Sequence, residues 1–340
     1  MTFKVVTLGE IMLRLTPPDY KRIIQAENFN AIYGGGEANV GVSLANFGVE
    51  SYFVTKLPPN EVGQAALNEL RRYGIKTDYV LRGGSRLGIY FCENGASQRS
   101  SKVIYDRANS AIAETKKGEF DWDEIFSDKD WFHFTGITPA LSENMAEVTL
   151  EALEAAREKG LKISCDLNYR AKLWSPERAN EVMSGLMELV DIIIANEEDA
   201  EKVFGITSGS DVTAGDLKIE GYREVAQKLI DRFGVELVGS HLRVSHSASD
   251  NDWMILLYDG NDFIKSTRYE IHIVDRVGGG DSFSGALIYA LLNQKSLKEA
   301  AELGAAASCL KHSVPGDFNH VTLKEVENLA KGDKSGRVKR

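Results

Sequence analysis

The residues best suited to chemistry lie in a glycine-rich segment near the carboxyl end, residues 275–287 (DRVGGGDSFSGAL). Gly278–Gly280 precede Asp281, and the residues after it have a helical pattern. Bare N–H groups at a helix start favour an anion such as phosphate, because a helix amino terminus carries roughly half a positive charge. A carboxylate beside a cradled phosphoryl group can accept the proton of an attacking hydroxyl. The segment is equally compatible with a tight turn in which Asp281 is the helix N-cap.

A second glycine run, residues 33–41 (YGGGEANVG), also leads into a helical pattern. Its glycines allow a hydroxylated ligand to approach the backbone closely, and the Asn39 amide can donate to and accept from such a ligand. Close helix packing through small residues explains the same run without a ligand. Both interpretations remain open from these residues.

A predicted hairpin over residues 86–111 carries a further candidate surface. Tyr105 and Arg107 are two residues apart in one strand and therefore share a face, and Tyr90 lies on the partner strand. Phenol and guanidinium groups together can bind hydroxyls and hold a carboxylate with two hydrogen bonds. An ordinary salt-bridged surface arginine is the alternative for Arg107 and equally for Arg170.

Several predicted strands are followed by polar side chains at their carboxyl ends. In open α/β sheets, ligands bind in the crevice at that edge. Strand ends are polar in any case, so the argument rests on several such groups converging on one rim. They are Asn168, Arg170, Asn196 and Ser240.

The elements that would position these residues alternate along the chain. Short β-rich runs are followed by amphipathic helical segments, which predicts a doubly wound, mostly parallel α/β sheet within one domain, residues 1–330. Two helix-poor segments, about 11–33 and 86–111, predict a small discontinuous β-sheet that either extends the main sheet or forms a lid over the crevice. The basic tail, residues 331–340, is expected to be disordered.

Composition excludes several classes of function. The hydrophobic share of 43% and the charged share of 26% are those of a soluble globular protein. A net charge of −10 argues against binding nucleic acid or an anionic membrane, so an anionic ligand needs a local basic pocket. No apolar run reaches the roughly 18–20 residues that span a bilayer, and no secretory signal opens the chain, so we expect a cytoplasmic location. The three cysteines form no C-x-x-C pair, and neither a zinc site nor a disulfide framework is indicated.

The two glycine runs, GGGEANVGVSLANFG (34–48) and DRVGGGDSFSGAL (275–287), resemble the paired signatures of the ribokinase (PfkB) family of carbohydrate kinases. The resemblance spans nearly the whole chain. It implies a ribokinase-like α/β core with a small β lid, and a homo-oligomer formed through that lid. It also implies transfer of the γ-phosphoryl group of ATP to a sugar hydroxyl, with Mg²⁺. By position, Asp281 matches the family's catalytic base. Gly278, Gly279 and Gly280 match its anion hole.

This chain departs from the family pattern at two places. The family's N-x-x-E stretch, associated with Mg²⁺ and phosphate, is matched by Asn196 with Asp199 in place of the glutamate, so any metal contact would run through water. The family's D-T-x-G-A-G-D loop has Arg276 in place of the threonine and Gly279 in place of the alanine. Neither change removes the carboxylate or the amides, and the catalytic assignment stands.

Within the family, residues 105–111, 165–170 and 313–319 are most similar to kinases of 2-keto-3-deoxygluconate. This sugar acid has a carboxylate, which would give Arg107 and Arg170 a ligand that fructose and ribose lack. The substrate side implied by the resemblance comprises Gly34, Gly35, Gly36, Glu37, Ala38, Asn39, Tyr90, Tyr105, Arg107, Arg170 and Asp317. The nucleotide side comprises Asn168, Asn196, Ser240, Leu242 and Ser245. The last three lie in residues 239–253, at the place of the family's nucleotide loop but without its glycine-rich pattern.

Three other functions were weighed against this interpretation. A fructokinase or other neutral-sugar kinase of the same family shares the catalytic residues and differs in the pocket. A catalytically silent sugar-binding protein on the same scaffold is expected to lose its base, yet Asp281 is present. A nucleotide-binding dehydrogenase is disfavoured, because no G-x-G-x-x-G opens the first βα unit.

Overall fold

The computed structural model describes residues 2–208, 219–333 and 336. Most of the 331–340 tail lies outside the described residues, so its disorder stays a prediction. The strands are β1 Lys4–Leu8, β2 Met12–Thr16, β3 Asn30–Gly34, β4 Glu50–Leu57, β5 Val80–Arg82, β6 Ile89–Glu93, β7 Lys102–Asp106, β8 Trp131–Thr135, β9 Lys162–Asp166, β10 Ile192–Ile194, β11 Leu237–Ser245, β12 Asp250–Tyr258, β13 Phe263–Lys265 and β14 Tyr269–His272. The helices are α1 Gly36–Asn46, α2 Glu61–Arg72, α3 Trp122–Phe126, α4 Ile137–Ala140, α5 Glu143–Glu158, α6 Pro176–Met187, α7 Glu197–Phe204, α8 Ile219–Phe233, α9 Gly279–Leu292, α10 Leu297–His312 and α11 Leu323–Ala330, with a short 3₁₀ helix at Ile23–Gln25.

The large sheet is parallel through its centre and antiparallel at one edge. Its order is β13-β12-β11-β10-β9-β8-β1-β4-β5, and β14 also pairs with β12. Every pairing from β11 to β5 along this order is parallel, whereas β12 pairs antiparallel with β11, β13 and β14. The predicted doubly wound, mostly parallel sheet is confirmed.

Helices cover both faces of this sheet, and its central strands are therefore apolar on both faces. Val5 and Trp131 pack in one core with α1, α9 and α10, while Val6 and Phe132 pack in another with α5 and α6. All five residues of β8 are buried. Among the described residues, no helix combines the length and the apolar character needed to cross a bilayer.

A separate four-stranded sheet, called here the small sheet, has the order β3-β2-β6-β7. Its strands fall within the two helix-poor segments, and β6 and β7 form the predicted antiparallel hairpin, with Tyr90 opposite Tyr105. The connection is longer than a two-residue Asn-Gly turn. It spans residues 94–101 and is closed by reciprocal backbone hydrogen bonds between Ala96 and Arg99.

A long hairpin, β11–β12, replaces the loop expected at residues 239–253. Its tip reaches the small sheet, where the Ala248 amide donates to the Ser97 carbonyl at 2.7 Å. The Ser97 amide in turn donates to Ser249 Oγ at 2.9 Å. The prediction of a loop there was wrong. The run LVGSHLRVS alternates between the two faces of a strand, and its partner strand β12 is almost wholly buried.

Candidate active site

A cavity of about 490 Å³ opens at the carboxyl edge of the large sheet, between the ends of β9 and β10, the small sheet and the β11–β12 hairpin. Most residues singled out from the sequence line it. They are Gly35, Gly36, Glu37, Asn39, Tyr90, Tyr105, Arg107, Asn168, Arg170, Asn196, Asp199, Gly278, Gly279, Gly280, Asp281 and Asp317. The predicted residues that do not line it are Gly34, Ala38, Ser240, Leu242 and Ser245.

Asp281 joins the two glycine runs. Its Oδ2 accepts a 2.6 Å hydrogen bond from Asn39 Nδ2, across 242 positions of sequence. A Cβ at Gly36 would lie 3.8 Å from Asp281 Oδ1, so the start of α1 directly faces the carboxylate. Burial raises the pKa of Asp281 to about 6, and the Asn39 hydrogen bond opposes that rise. A carboxylate with a pKa near neutrality, open to a cavity, is suited to act as a general base.

The backbone around Gly278 has the left-handed conformation that opens α9. Gly278 is the N-cap residue, with φ 86°, and Asp281 makes no capping hydrogen bond. The alternative in which Asp281 is an N-cap is therefore wrong. A Cβ at Gly278 would lie 2.1 Å from the Asp317 carbonyl oxygen, and one at Gly279 would lie 2.3 Å from His312 Cε1. Only glycine fits at either position, and the first N–H groups of α9 are left without intrahelical acceptors at the cavity.

The amino-terminal glycine run serves both packing and the cavity. A Cβ at Gly34 would lie 2.2 Å from Asp317 Oδ2, and one at Gly35 would lie 1.9 Å from the Glu10 carbonyl oxygen. Close packing thus requires these two glycines, while Gly36 faces Asp281. Ala38 is fully buried in a hydrophobic core rather than at the cavity.

Glu37 directs its carboxylate away from a prospective ligand. Its Oε1 accepts hydrogen bonds from the Thr135 amide at 3.0 Å, from Thr135 Oγ1 at 2.8 Å and from Thr138 Oγ1 at 2.6 Å. Burial raises its pKa to about 6, and the threonine hydroxyls oppose the rise. These contacts tie the start of α1 to the end of β8, so Glu37 positions α1 beneath the cavity.

Sequence reasoning missed a buried arginine below the glycines. Arg14 on β2 is fully buried, and its guanidinium donates to Asp317 Oδ1 and to Asp275 Oδ2, both at 2.7 Å. The Tyr90 hydroxyl donates to the second oxygen of Asp317. Tyr90 and Asp317 thus reach the cavity wall but bind each other there. The buried Lys311 ammonium lies nearby and donates to the Val314 carbonyl at 3.1 Å.

Asp275 links this arginine to the glycines. Its Oδ1 accepts from the Val277 amide at 3.2 Å, and its Oδ2 accepts from the Gly316 amide at 3.1 Å. The small sheet, through Arg14, therefore holds both segments that border Gly278. The sequence gives no signal of this role, because Arg14 alternates with the apolar Leu13 and Leu15 in the run MLRLT, whereas in the structure Arg14 is buried and the two leucines are only half-buried.

Arg107 is buried and paired with Glu10, another residue that sequence reasoning missed. Arg107 Nε donates to Glu10 Oε2 at 2.8 Å, and its Nη2 contacts the same oxygen. The guanidinium carbon also lies 5.4 Å from the centre of the Tyr105 ring. This pairing uses some of the five N–H donors of the guanidinium. The other N–H groups of Arg107 remain available, and its side chain lines the cavity.

Three neighbouring carboxylates, those of Asp166, Asp199 and Asp281, form another part of the cavity wall. Burial raises the pKa of Asp166 well above its ordinary value, and the neighbouring Asp199 and Asp281 raise it further. Burial raises the pKa of Asp199 to about 6, and Arg170 opposes this rise. Asp199 Oδ1 also accepts a hydrogen bond from the Tyr169 amide at 3.0 Å. Arg170, which is exposed, opposes the rise in pKa of all three carboxylates.

Asn196 and Asp199 together cap the start of α7. Asn196 Oδ1 accepts from the Asp199 amide at 2.8 Å, and the Asp199 carboxylate accepts from the Asn196 amide at 3.5 Å. Aspartate in place of the family's glutamate thus closes a capping box that holds both side chains at the rim. Asn168 has φ 39° and faces the same space, with its Nδ2 4.0 Å from a Cβ placed on Gly36.

The register of β11 decides which of its side chains reach the cavity. His241 and Arg243 line the cavity, whereas Leu242 packs against Tyr222, Met254 and Leu256 in a small hydrophobic cluster. Ser240 is buried outside the lining and Ser245 is exposed beyond it. Ser240 and Leu242 are one position out of register with His241 and Arg243, and a shift of one residue exchanges the faces of a strand.

The residues of the cavity lie within a stretch that matches a known protein family. The model of the pfkB family of carbohydrate kinases matches residues 2–322. This chain belongs to the pfkB family of carbohydrate kinases. It is a phosphotransferase with an alcohol group as acceptor, and the predicted resemblance is confirmed.

Relatives of this kinase span its full length. A crystal structure of 2-dehydro-3-deoxygluconokinase from Thermotoga maritima is 53% identical, with a TM-score of 0.94, and covers 98% of this chain and 99% of that one. The 2-dehydro-3-deoxygalactonokinase of Haloferax volcanii is 34% identical over 99% of both chains. The 2-dehydro-3-deoxygluconokinase of Bacillus subtilis is 28% identical over 96% of this chain and 94% of its own.

The shifted pKa of Asp281 predicts the acid side of the pH profile of this kinase. A base must be ionised to act, so kcat/KM is expected to fall about tenfold per pH unit below roughly pH 6. Asn39→Ala removes a hydrogen bond that lowers this pKa, so the acid limb should move to higher pH. Initial rates between pH 5 and 8 at saturating ATP measure both. A limb that does not move in Asn39→Ala, or that persists in the residual activity of Asp281→Asn, would assign it to another group.

Proposed function

We propose that this kinase transfers the γ-phosphoryl group of ATP to 2-keto-3-deoxygluconate, giving 2-keto-3-deoxy-6-phosphogluconate and ADP. The similarity to the Thermotoga maritima 2-dehydro-3-deoxygluconokinase, 53% identical over 98% of this chain, carries the proposal. A neutral-sugar kinase, such as a fructokinase, has less support, since the relatives described above are named for keto-deoxy sugar acids.

The chemical step follows from Asp281 and the glycines before it. The sugar hydroxyl oxygen attacks the γ-phosphorus while Asp281 takes the hydroxyl proton, and the bond from the γ-phosphorus to the bridging oxygen of ADP breaks. The amides at the start of α9 then face the charge on the equatorial phosphoryl oxygens. Asn39 holds the base in place through its 2.6 Å hydrogen bond.

The carboxylate of the sugar acid would bind the remaining N–H groups of Arg107, together with Arg170. Glu10 neutralises Arg107 and fixes its guanidinium, so little side-chain entropy is lost on binding. Tyr105 and the backbone at Gly35 and Gly36 would contact hydroxyl and keto groups. This arrangement favours an acid over a neutral sugar, because a neutral ligand leaves the arginine donors unpaired.

Mg²⁺ fits the oxygen-rich wall formed by Asp166 and Asp199. The charge of Asp199 raises the pKa of Asp166, and a divalent cation would relieve that repulsion. Mg²⁺ is commonly held by one or two carboxylates, waters and substrate phosphates rather than by a full protein cage. When bound, the ion would neutralise charge on the phosphate chain, with Asp199 reaching it through water and Asn168 and Asn196 close to the nucleotide.

We also propose that the small sheet acts as the lid of the cavity and as a surface for self-association. Along β7 alternate residues point away from the core, and Ile104 is 53% exposed there. Analytical sedimentation at micromolar concentration tests the self-association, and a molar mass equal to that of the monomer would contradict it.

The function is tested by ATP-dependent ADP release with a panel of acceptors. The panel comprises 2-keto-3-deoxygluconate, its galactonate epimer, gluconate, fructose, ribose and adenosine. Turnover confined to the keto-deoxy acids supports the proposal. The ratio of kcat/KM for the two epimers decides between the activity named for the Thermotoga maritima and Bacillus subtilis relatives and that named for the Haloferax volcanii relative. Preference for fructose or ribose would refute the assigned substrate, and silence across the panel would refute the catalytic proposal.

A further inference from the structure

Two arginines that line the cavity form no ion pair with a carboxylate within the described residues. Arg243 projects from β11 and Arg276 from the segment before the glycines, and both line the cavity. Within the described residues, Arg243 makes no hydrogen bond or ion pair, and Arg276 makes one hydrogen bond, to the Ala248 carbonyl at 3.0 Å. By contrast, the arginines at positions 14 and 107 are each paired with buried carboxylates.

The two guanidinium groups are close enough to repel each other. Burial lowers the pKa of Arg276 and Arg243 lowers it further, while the preceding Asp275 opposes this shift without reversing it. Both also lower the pKa of His312, whose ring covers Gly279. Two like charges held together at a cavity wall cost free energy unless an anion bridges them.

The neighbouring side chains place this pair beside the anion hole. His241 lies two residues before Arg243 on the same face of β11, and its Cε1 lies 3.9 Å from a Cβ placed on Gly280. The His241 ring stacks on Trp253 at 4.8 Å, and Trp253 is directly opposite Arg243 in the hairpin. An anionic chain that begins at the glycines would therefore pass directly in front of the two arginines.

We infer that Arg243 and Arg276 together bind the polyphosphate chain of the nucleotide, leaving the γ-phosphoryl group to the glycines. The inference rests on the proposed use of ATP. It gives Arg276 a role that a threonine at this position cannot fill, because threonine carries no charge. It also explains how a chain of net charge −10 holds a polyanion, by placing two arginines together in the lining of the cavity.

The inference is tested first by binding, without turnover. Calorimetry with ADP, AMP and inorganic tripolyphosphate, in the presence of Mg²⁺, is carried out on the wild type, Arg243→Ala and Arg276→Ala. We expect the Kd for ADP and for tripolyphosphate to rise about 10- to 100-fold in each variant, with a smaller change for AMP. Arg268→Ala is the matched control, because Arg268 is an exposed arginine beside the same hairpin that pairs with Asp252 outside the cavity. Thermal melting checks that each variant is folded.

Steady-state kinetics then separates the two possible anions. The inference predicts a raised KM for ATP with an unchanged KM for the sugar acid. A raised KM for the sugar acid with unchanged ADP binding would overturn it and assign the pair to the substrate carboxylate. Unchanged binding of ADP and tripolyphosphate in both folded variants would overturn it as well. Arginine-dependent tripolyphosphate binding by a protein that phosphorylates no acceptor in the panel would support it while refuting the proposed function.

Discussion

Asp281→Asn is expected to lower kcat by a factor of about 10²–10⁴ while leaving the affinities for ATP and the sugar acid nearly unchanged. The amide is nearly isosteric with the carboxylate, and its oxygen can still accept the hydrogen bond from Asn39. What it loses is the ability to take the hydroxyl proton. Single-turnover rates and calorimetric binding of both ligands measure the two quantities separately.

The matched control for this substitution is Asp78→Asn. Asp78 is an exposed carboxylate outside the cavity lining, so its replacement should leave kcat within about twofold. If Asp281→Asn loses binding of either ligand and keeps its fold, Asp281 is a ligand contact. If it keeps kcat, another group takes the proton.

Arg14→Met is expected to lower the free energy of unfolding by about 3–5 kcal/mol, the largest effect on stability that we expect from a single substitution. Methionine fills much of the same space but leaves Asp275 and Asp317 buried without their cation. Although burial lowers the pKa of Arg14, Asp317 and Asp275 raise it well above its ordinary value, so the guanidinium is charged at all accessible pH. Urea denaturation followed by tryptophan fluorescence measures the change.

Arg86→Met provides the comparison for an exposed pair. Arg86 lies just before the small sheet and pairs with Asp106 in solvent, so its loss should cost no more than about 1 kcal/mol. Replacing Asp275 and Asp317 by asparagine in the Arg14→Met background should recover part of the stability, since the uncompensated charges are removed. Equal losses for Arg14→Met and Arg86→Met would show that the buried charges contribute little.

The residues predictable from sequence are those whose role is encoded by their immediate neighbours. Asp281 and the glycines before it form one continuous segment, and helix and strand periodicities give the parallel sheet that places this segment at a carboxyl edge. The pairing of Asn39 with Asp281 was also within reach, because both follow glycine runs that open helices. Such features depend on local spacing, which a sequence displays directly.

The residues that could not be placed depend on distant partners or on register. Tyr90 and Asp317 line the cavity, and their expected contact with the sugar stays a prediction, but sequence reasoning missed the hydrogen bond between them across 227 positions. Neither Tyr90 nor Asp317 indicates from its place in the sequence that Arg14 completes the cluster. Leu242 was assigned to a loop, whereas the segment continues as a strand, and alternation sends His241 and Arg243 to the cavity instead. Charge pairing within a core is decided by the whole fold.

The Arg14 cluster also bears on how the chain folds as it is made. Arg14 precedes Asp275 by 261 residues and Asp317 by 303 residues. At ribosomal rates of about 5–20 residues per second, the 303 residues that follow Arg14 up to Asp317 take roughly 15–60 s to be added. Until Asp275 is made, burying this guanidinium has no compensating carboxylate, and until Asp317 follows it has only one of the two. We therefore expect the small sheet to dock late in synthesis, and a chain truncated before residue 317 to lack a stably closed cavity.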